Sequence, residues 1–154
     1  MAREDRLAFY VHIPYCVKRC GYCDFNTYTP AELQIQSSLE EISHSYIDLV
    51  LKEIELSRKV SDAKTVPSIF FGGGTPSLMA PSDLGRVIEK ISDLYDLPDS
   101  AEVTLEANPD SVTIESLREL RNVGFNRISF GMQSAVPHVL QALDRTHNPA
   151  NVDL

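Results

Sequence analysis

An α/β fold on a parallel sheet is what the sequence predicts, and three observations predict it. Four short runs rich in β-branched and aromatic residues are each followed by a stretch with apolar residues every three or four positions, giving the order βα four times. Proline and glycine close the runs where each strand gives way to its loop. The residue types able to do chemistry gather at the C-terminal ends of those runs, where parallel βαβ sheets hold their ligands. Right-handed crossovers leave an open doubly wound sheet and a barrel as the two architectures.

The first strand is predicted over Leu7-Ala8-Phe9-Tyr10-Val11-His12-Ile13, ended by Pro14. Alternation puts Phe9, Val11 and Ile13 on one face and Ala8, Tyr10 and His12 on the other, beside a loop of cysteines. From Leu39 to about Val60, Leu39, Ile42, Tyr46, Leu49, Val50 and Ile54 form a helical stripe, with Glu40, Glu41, Lys52, Glu53 and Arg58 toward water. Ser68-Ile69-Phe70-Phe71 is the second strand, closed by Gly72-Gly73-Gly74-Thr75-Pro76. Ser82 is expected to cap a helix whose inner face is Leu84, Val87, Ile88 and Ile91. The third strand is Glu102-Val103-Thr104-Leu105-Glu106-Ala107, followed by a helix from Thr113 through Leu117 and Leu120 to a terminating Gly124. Arg127-Ile128-Ser129-Phe130-Gly131 is the fourth, and Pro137 opens a helix carrying Val136, Val139, Leu140 and Leu143.

With 154 residues, 43% hydrophobic and 23% charged, the chain has the material for one core and no second full domain. Its 14 basic and 22 acidic residues give a net charge of -8, which argues against nucleic acid and anionic membranes as partners. No apolar run approaches a membrane span, and the start Met1-Ala2-Arg3-Glu4-Asp5-Arg6 lacks a signal-peptide core, so a cytoplasmic location is expected.

All three cysteines, Cys16, Cys20 and Cys23, fall within eight residues. An odd, close-spaced set fits a metal or redox site rather than a disulfide framework. Thiolates at C-x3-C-x2-C suit an iron–sulfur cluster or zinc. Zinc needs a fourth ligand such as His12, and a cluster with an open iron needs a small molecule there. The spacing favours the cluster over structural zinc, with unligated buried thiols third.

Cys16-Val17-Lys18-Arg19-Cys20-Gly21-Tyr22-Cys23 resembles the cluster loop of the radical S-adenosylmethionine superfamily. Tyr10-Val11-His12-Ile13-Pro14-Tyr15-Cys16, Phe71-Gly72-Gly73-Gly74-Thr75-Pro76 and Arg127-Ile128-Ser129-Phe130-Gly131-Met132-Gln133-Ser134 narrow the resemblance to oxygen-independent coproporphyrinogen III oxidases and their heme-chaperone relatives. The resemblance implies four βα units of a partial (βα)6 TIM-like radical-SAM barrel. It also implies a 4Fe-4S cluster on Cys16, Cys20 and Cys23, with S-adenosyl-L-methionine on the fourth iron. Cleavage of that sulfonium by one electron yields a 5′-deoxyadenosyl radical in such proteins; the protein supplies orientation and a dry pocket.

Carried over by the same resemblance, Tyr10 would lie near the methionine carboxylate, Tyr22 would flank the cluster and adenine, and Gly73, Gly74 and Thr75 would line the methionine. Glu106 and Gln133 would approach the amino-acid and ribose portions. Without the family, Glu106 reads as a surface carboxylate, Tyr10 as a core aromatic and the triple glycine as a turn. No Gly-Lys-Ser/Thr follows those glycines, so a P-loop is excluded. His12 reads as structural. Arg145 and His147 have two readings, as functional residues of the relatives or as cations that complement a helix dipole. No catalytic residue is assigned.

Oxidases of the family continue past the third cysteine with glycine and a further cysteine. Here Cys23 is followed by Asp24-Phe25-Asn26-Thr27, the pattern of the heme-chaperone branch. That implies heme as cargo of the full-length protein, handed to apo-proteins, with an electron donor as a further partner. Coproporphyrinogen oxidation is the alternative, and an inactive fragment or small zinc-binding domain a third. Family members extend through two more βα units and a C-terminal domain, so residues 1–154 are expected to form the N-terminal part of the core. An unpaired edge on the fourth strand would then leave the isolated chain marginally stable.

Overall fold

The computed structural model describes residues 5–34, 38–145 and 147–152, except the side chains of residues 39, 40 and 152. The expectations for the side chains of Leu39 and Glu40 lie outside what is described. Four strands, β1 (Phe9–Ile13), β2 (Ser68–Gly73), β3 (Glu102–Ala107) and β4 (Arg127–Phe130), form one parallel sheet in the order β1-β2-β3-β4. The helices are α1 (Pro30–Leu33), α2 (Leu39–Val60), α3 (Pro81–Leu94), α4 (Ile114–Asn122) and α5 (Pro137–Ala142). Short 3-10 turns stand at Pro76–Leu78, Pro109–Ser111 and Pro149–Val152. Among the described residues no helix is long and apolar enough to cross a membrane.

Alternation along the strands sorts the two sheet faces as expected. Val11, Ile13, Ile69, Phe71, Val103 and Leu105 are buried against Ile47 and Ile54 of α2, Leu84, Val87 and Ile91 of α3, and Leu120 of α4. Phe71 meets Phe125 edge to face at 5.0 Å between centroids. Burying each large side chain of this layer contributes about 1.5–3 kcal/mol, which is why it dominates the fold. On the other face the register aligns Tyr10, Phe70, Thr104 and Arg127 in one row, with His12 opposite Gly72 and Glu106 opposite Ser129 above it.

Helix ends follow local chemistry. Ser38 and Glu41 form a reciprocal capping box that starts α2, with both side-chain-to-backbone bonds at 3.2 Å. Thr113 caps α4, and Gly124, at φ 115°, ends it. Two expectations are corrected. Ser82 lies inside α3: Pro81, pre-set for the first helical position, starts the helix, and the cap is Ala80 with no side-chain bond. On α2, Ile47 is fully covered, whereas Leu49 is 60% exposed. Two residues turn a helix by about 200°, so the two cannot share a face. Polar pairs seal α2 to α3: the Arg86 guanidinium donates to Asp48 at 2.6 Å and to the buried Asp83 at 3.1 Å, and His44 Nδ1 lies 2.9 Å from Asp83.

Candidate functional site

The strand ends build a single cleft. Beyond β1, the Tyr28 backbone N–H donates to the Pro14 carbonyl at 2.7 Å and the Cys16 N–H to the Tyr28 carbonyl at 3.0 Å. These two bonds tie the ends of the cysteine loop together, and Arg19 braces it from within by donating to the carbonyl of buried Thr27. All three cysteines are free thiols, Cys16 buried and Cys20 and Cys23 half-buried. A turn links Cys20 to Cys23 through a 3.1 Å backbone bond.

The glycine turn after β2 presses against this loop. The Gly74 N–H donates to the Ile13 carbonyl at 2.7 Å and the Thr75 N–H to the Tyr15 carbonyl at 2.8 Å. Glycine is required for that approach: a Cβ on Gly74 would fall on the Tyr15 carbonyl oxygen and lie 2.9 Å from that of Ile13. Gly73 holds φ at 111°, where side chains are strained. The Thr75 hydroxyl donates to Cys16 Sγ at 3.8 Å. Burial pushes the Cys16 thiol above its ordinary pKa, while hydroxyl donation from Thr75 pulls the other way.

Glu106 leans from β3 toward the same turn, where its Oε2 accepts from the Gly73 N–H at 3.3 Å. Tyr10 stands behind it. Its ring is 58% exposed and stacked near Phe70, and burial together with the Glu106 charge raises its pKa. His12 Nε2 must carry a proton, because its partner at 2.8 Å is the Asn26 carbonyl; Nδ1 therefore accepts from the Tyr10 hydroxyl at 3.2 Å. The structural reading of His12 fits these bonds.

In the loop after β4 comes Gln133, a non-glycine residue at φ 62°, and after α5 comes Arg145. The Arg145 guanidinium donates to Cys20 Sγ at 3.2 Å and to the Gly131 carbonyl. It therefore reaches into the cleft and is no mere complement to a helix dipole. His147 is buried, and desolvation followed by repulsion from Arg145 lowers its pKa.

The cleft has a volume of about 500 Å³ and is lined by Cys16, Cys20, Cys23, Tyr22, Gly73, Gly74, Thr75, Glu106 and Gln133. Of the ten cluster and cofactor residues expected from the sequence, Tyr10 alone stands outside that lining, across Gly72; His12 and His147 also lie outside it. Asn108, Asp110, Ser129 and Arg145 also line it. Nothing in local spacing announces the contact of Arg145 with Cys20, which joins residues 125 apart in the chain. Among the described residues no three His, Cys, Asp or Glu side chains converge as they would around one bound ion. The arrangement offers soft sulfur donors on one side, a backbone turn in the middle, and a carboxylate, an amide and a guanidinium around them.

Comparison with known proteins agrees with this layout. The model of the Radical SAM superfamily matches residues 10–153. The heme chaperone HemW of Mycobacterium tuberculosis (strain CDC 1551 / Oshkosh) is 44% identical over 140 residues, which is 91% of this chain and 35% of that protein. The mitochondrial radical S-adenosyl methionine domain-containing protein 1 of Bos taurus is 43% identical over 145 residues, 94% of this chain and 31% of that protein. The chain thus spans about a third of the length of the curated relatives it matches. The solved structure of Escherichia coli coproporphyrinogen III oxidase (HemN), described as a radical SAM enzyme, superposes with a TM-score of 0.82 at 26% identity. It covers 97% of this chain and 33% of that one. The four strand–helix units of this protein are therefore a piece of a radical SAM TIM-like barrel, and the chain belongs to the Radical SAM superfamily.

Proposed function

We propose that Cys16, Cys20 and Cys23 hold a 4Fe-4S cluster beside S-adenosyl-L-methionine, and that this chain is the N-terminal, cofactor-binding part of a heme chaperone. The observation that carries the reading is the gathering of the three thiols with Tyr22, Gly73, Gly74, Thr75, Glu106 and Gln133 around one cleft. The donor set fits the cluster: three free soft thiols, two of them already receiving hydrogen bonds from Thr75 and Arg145. When bound, the cluster supplies one-electron chemistry to the sulfonium.

The chain's own residues do the positioning. Glu106 presents a carboxylate at the Gly73 amide, suited to an ammonium group. The Gly73-Gly74-Thr75 backbone lets a ligand approach without side chains in the way. Tyr22 offers a ring to a flat base, and Tyr10 stands on the same sheet face as Glu106, outside the cleft lining. A reducing compartment, the cytosol in this reading, keeps the three thiols available.

Anaerobic reconstitution tests the cluster: brown protein with about four irons per chain is expected, and colourless protein with one zinc would overturn it. Similarity to heme chaperones and the run Asp24-Phe25-Asn26-Thr27 after Cys23 favour heme as cargo. The second reading, coproporphyrinogen oxidation, is favoured by the superposition on the oxidase. Formation of protoporphyrinogen from coproporphyrinogen III and S-adenosylmethionine by the full-length protein would select it over the chaperone.

A further inference from the structure

The segment after α5 folds back as a strap between two strand ends. At its start, Asp144 lies over the cysteine loop: a Cβ on Gly21 would come within 2.8 Å of Asp144 Oδ2, and Lys18 Nζ stands 3.7 Å from Asp144 Oδ1. Arg145 then meets Cys20 and Gly131. At its far end, Asp110 Oδ1, in the turn after β3, accepts from the Asn148 N–H at 3.4 Å and from Asn151 Nδ2 at 2.8 Å. The Asn148 side chain in turn accepts from the Ala150 N–H at 3.1 Å, opening the last 3-10 turn.

The middle of the strap is costly to bury. Among the described residues, Arg145 Nε and both ring nitrogens of His147 are buried without a hydrogen-bond partner. Unpaired buried polar atoms oppose the ordering of the segment that carries them. The strap is therefore held down by its ends, and its far tether is the exposed Asp110. Solvent-facing bonds of that kind mark the part of a fold that opens first.

We infer that Asp110 is a positioning residue: by tethering Asn148 and Asn151 it holds the strap against the cysteine loop and keeps Arg145 at Cys20. Asp110 acts through the strap. Its bearing on a cluster rests on the function proposed above, but the coupling of the β3 turn to the cysteine loop rests on these contacts alone.

Hydrogen exchange on the metal-free chain tests it. Asp110→Ala is expected to speed exchange about 3- to 10-fold both in the strap and in the cysteine loop, the effect of losing one or two modest hydrogen bonds. Asp110→Asn, which keeps an acceptor oxygen, restores wild-type exchange in both. If Asp110→Ala unfolds the chain, Asn151→Ala removes the 2.8 Å bond from the other side and is expected to loosen the same two segments. Faster exchange confined to the strap, or no change in either segment, overturns the inference. Iron loss from reconstituted protein is a separate readout, expected to be faster in Asp110→Ala. Failure of the wild type to take up iron would count against the proposed function and leave the exchange result standing.

Discussion

Replacing Gly74 by alanine separates the glycine that holds the fold from those that shape the cleft. The new Cβ would overlap the Tyr15 carbonyl oxygen and sit 2.9 Å from the Ile13 oxygen, both backbone atoms that cannot rotate away. The turn must withdraw from the end of β1, breaking the bonds at 2.7 Å to Ile13 and 2.8 Å to Tyr15. Two net hydrogen bonds at about 1 kcal/mol each, with about 1–3 kcal/mol for displaced packing, make a loss of about 3–5 kcal/mol. At Gly72 the obstacles are ends of side chains, Phe70 Cε1 at 2.8 Å, Glu106 Oε2 at 2.9 Å and Tyr10 Cε2 at 3.1 Å. Gly72→Ala should therefore cost about 1 kcal/mol or less while pushing the Glu106 carboxylate off the Gly73 amide. Urea unfolding followed by circular dichroism gives both values. A Gly74→Ala variant within 1 kcal/mol of wild type, or a Gly72→Ala variant less stable than it, would refute the reasoning.

Gln133→Gly relieves a left-handed backbone and should stabilise the chain by about 1 kcal/mol in the same unfolding experiment, while weakening S-adenosylmethionine binding measured by calorimetry on reconstituted protein. Phe71→Ala empties the centre of the core against Phe125 and should cost about 3–5 kcal/mol. His147 gives a pH signature. Its folded pKa is lowered from 6.5 by burial and by Arg145, with the Asp110 charge opposing, so below pH 6.5 the unfolded chain takes up a proton that the folded chain refuses. The stability due to neutral His147 is complete above that pH and is lost as pH falls toward the folded value. His147→Gln should flatten this slope as the pH falls below about 6.5 in denaturation midpoints, and an unchanged slope would contradict the assignment.

The order of elements was legible because each strand is a compact apolar run and each long helix repeats at three and four. Where the sequence misled, two signals competed. Leu49 and Ile47 both fit a loose three-and-four spacing, and only the fixed turn per residue, read against buried Ile54, separates them. At α3 a serine competed with the proline before it, and the proline's fixed φ won. In the site, residues at strand ends could be expected to share one cleft because parallel sheets bring those ends together. The Asp110 tether and the reach of Arg145 were not, since both depend on a segment folding back across other strands. Similarly, the single-turn α1, held by a capping box between Thr29 and Glu32, left no apolar periodicity to read.

The sheet order β1-β2-β3-β4 means that every strand pairs with the one made just before it. Such a sheet can be laid down in the direction of synthesis, each unit resting on a finished neighbour. The cysteine loop belongs to the first unit, but the backbone that braces it, Gly74 and Thr75, is translated roughly 60 residues later, an interval of about 3–12 s at ordinary elongation rates. During those seconds the thiols meet the cell without the turn that later shields Cys16. A newborn chain is thus most open to oxidation before its second strand is complete, and oxidative damage at Cys16 should fall on nascent rather than on mature protein.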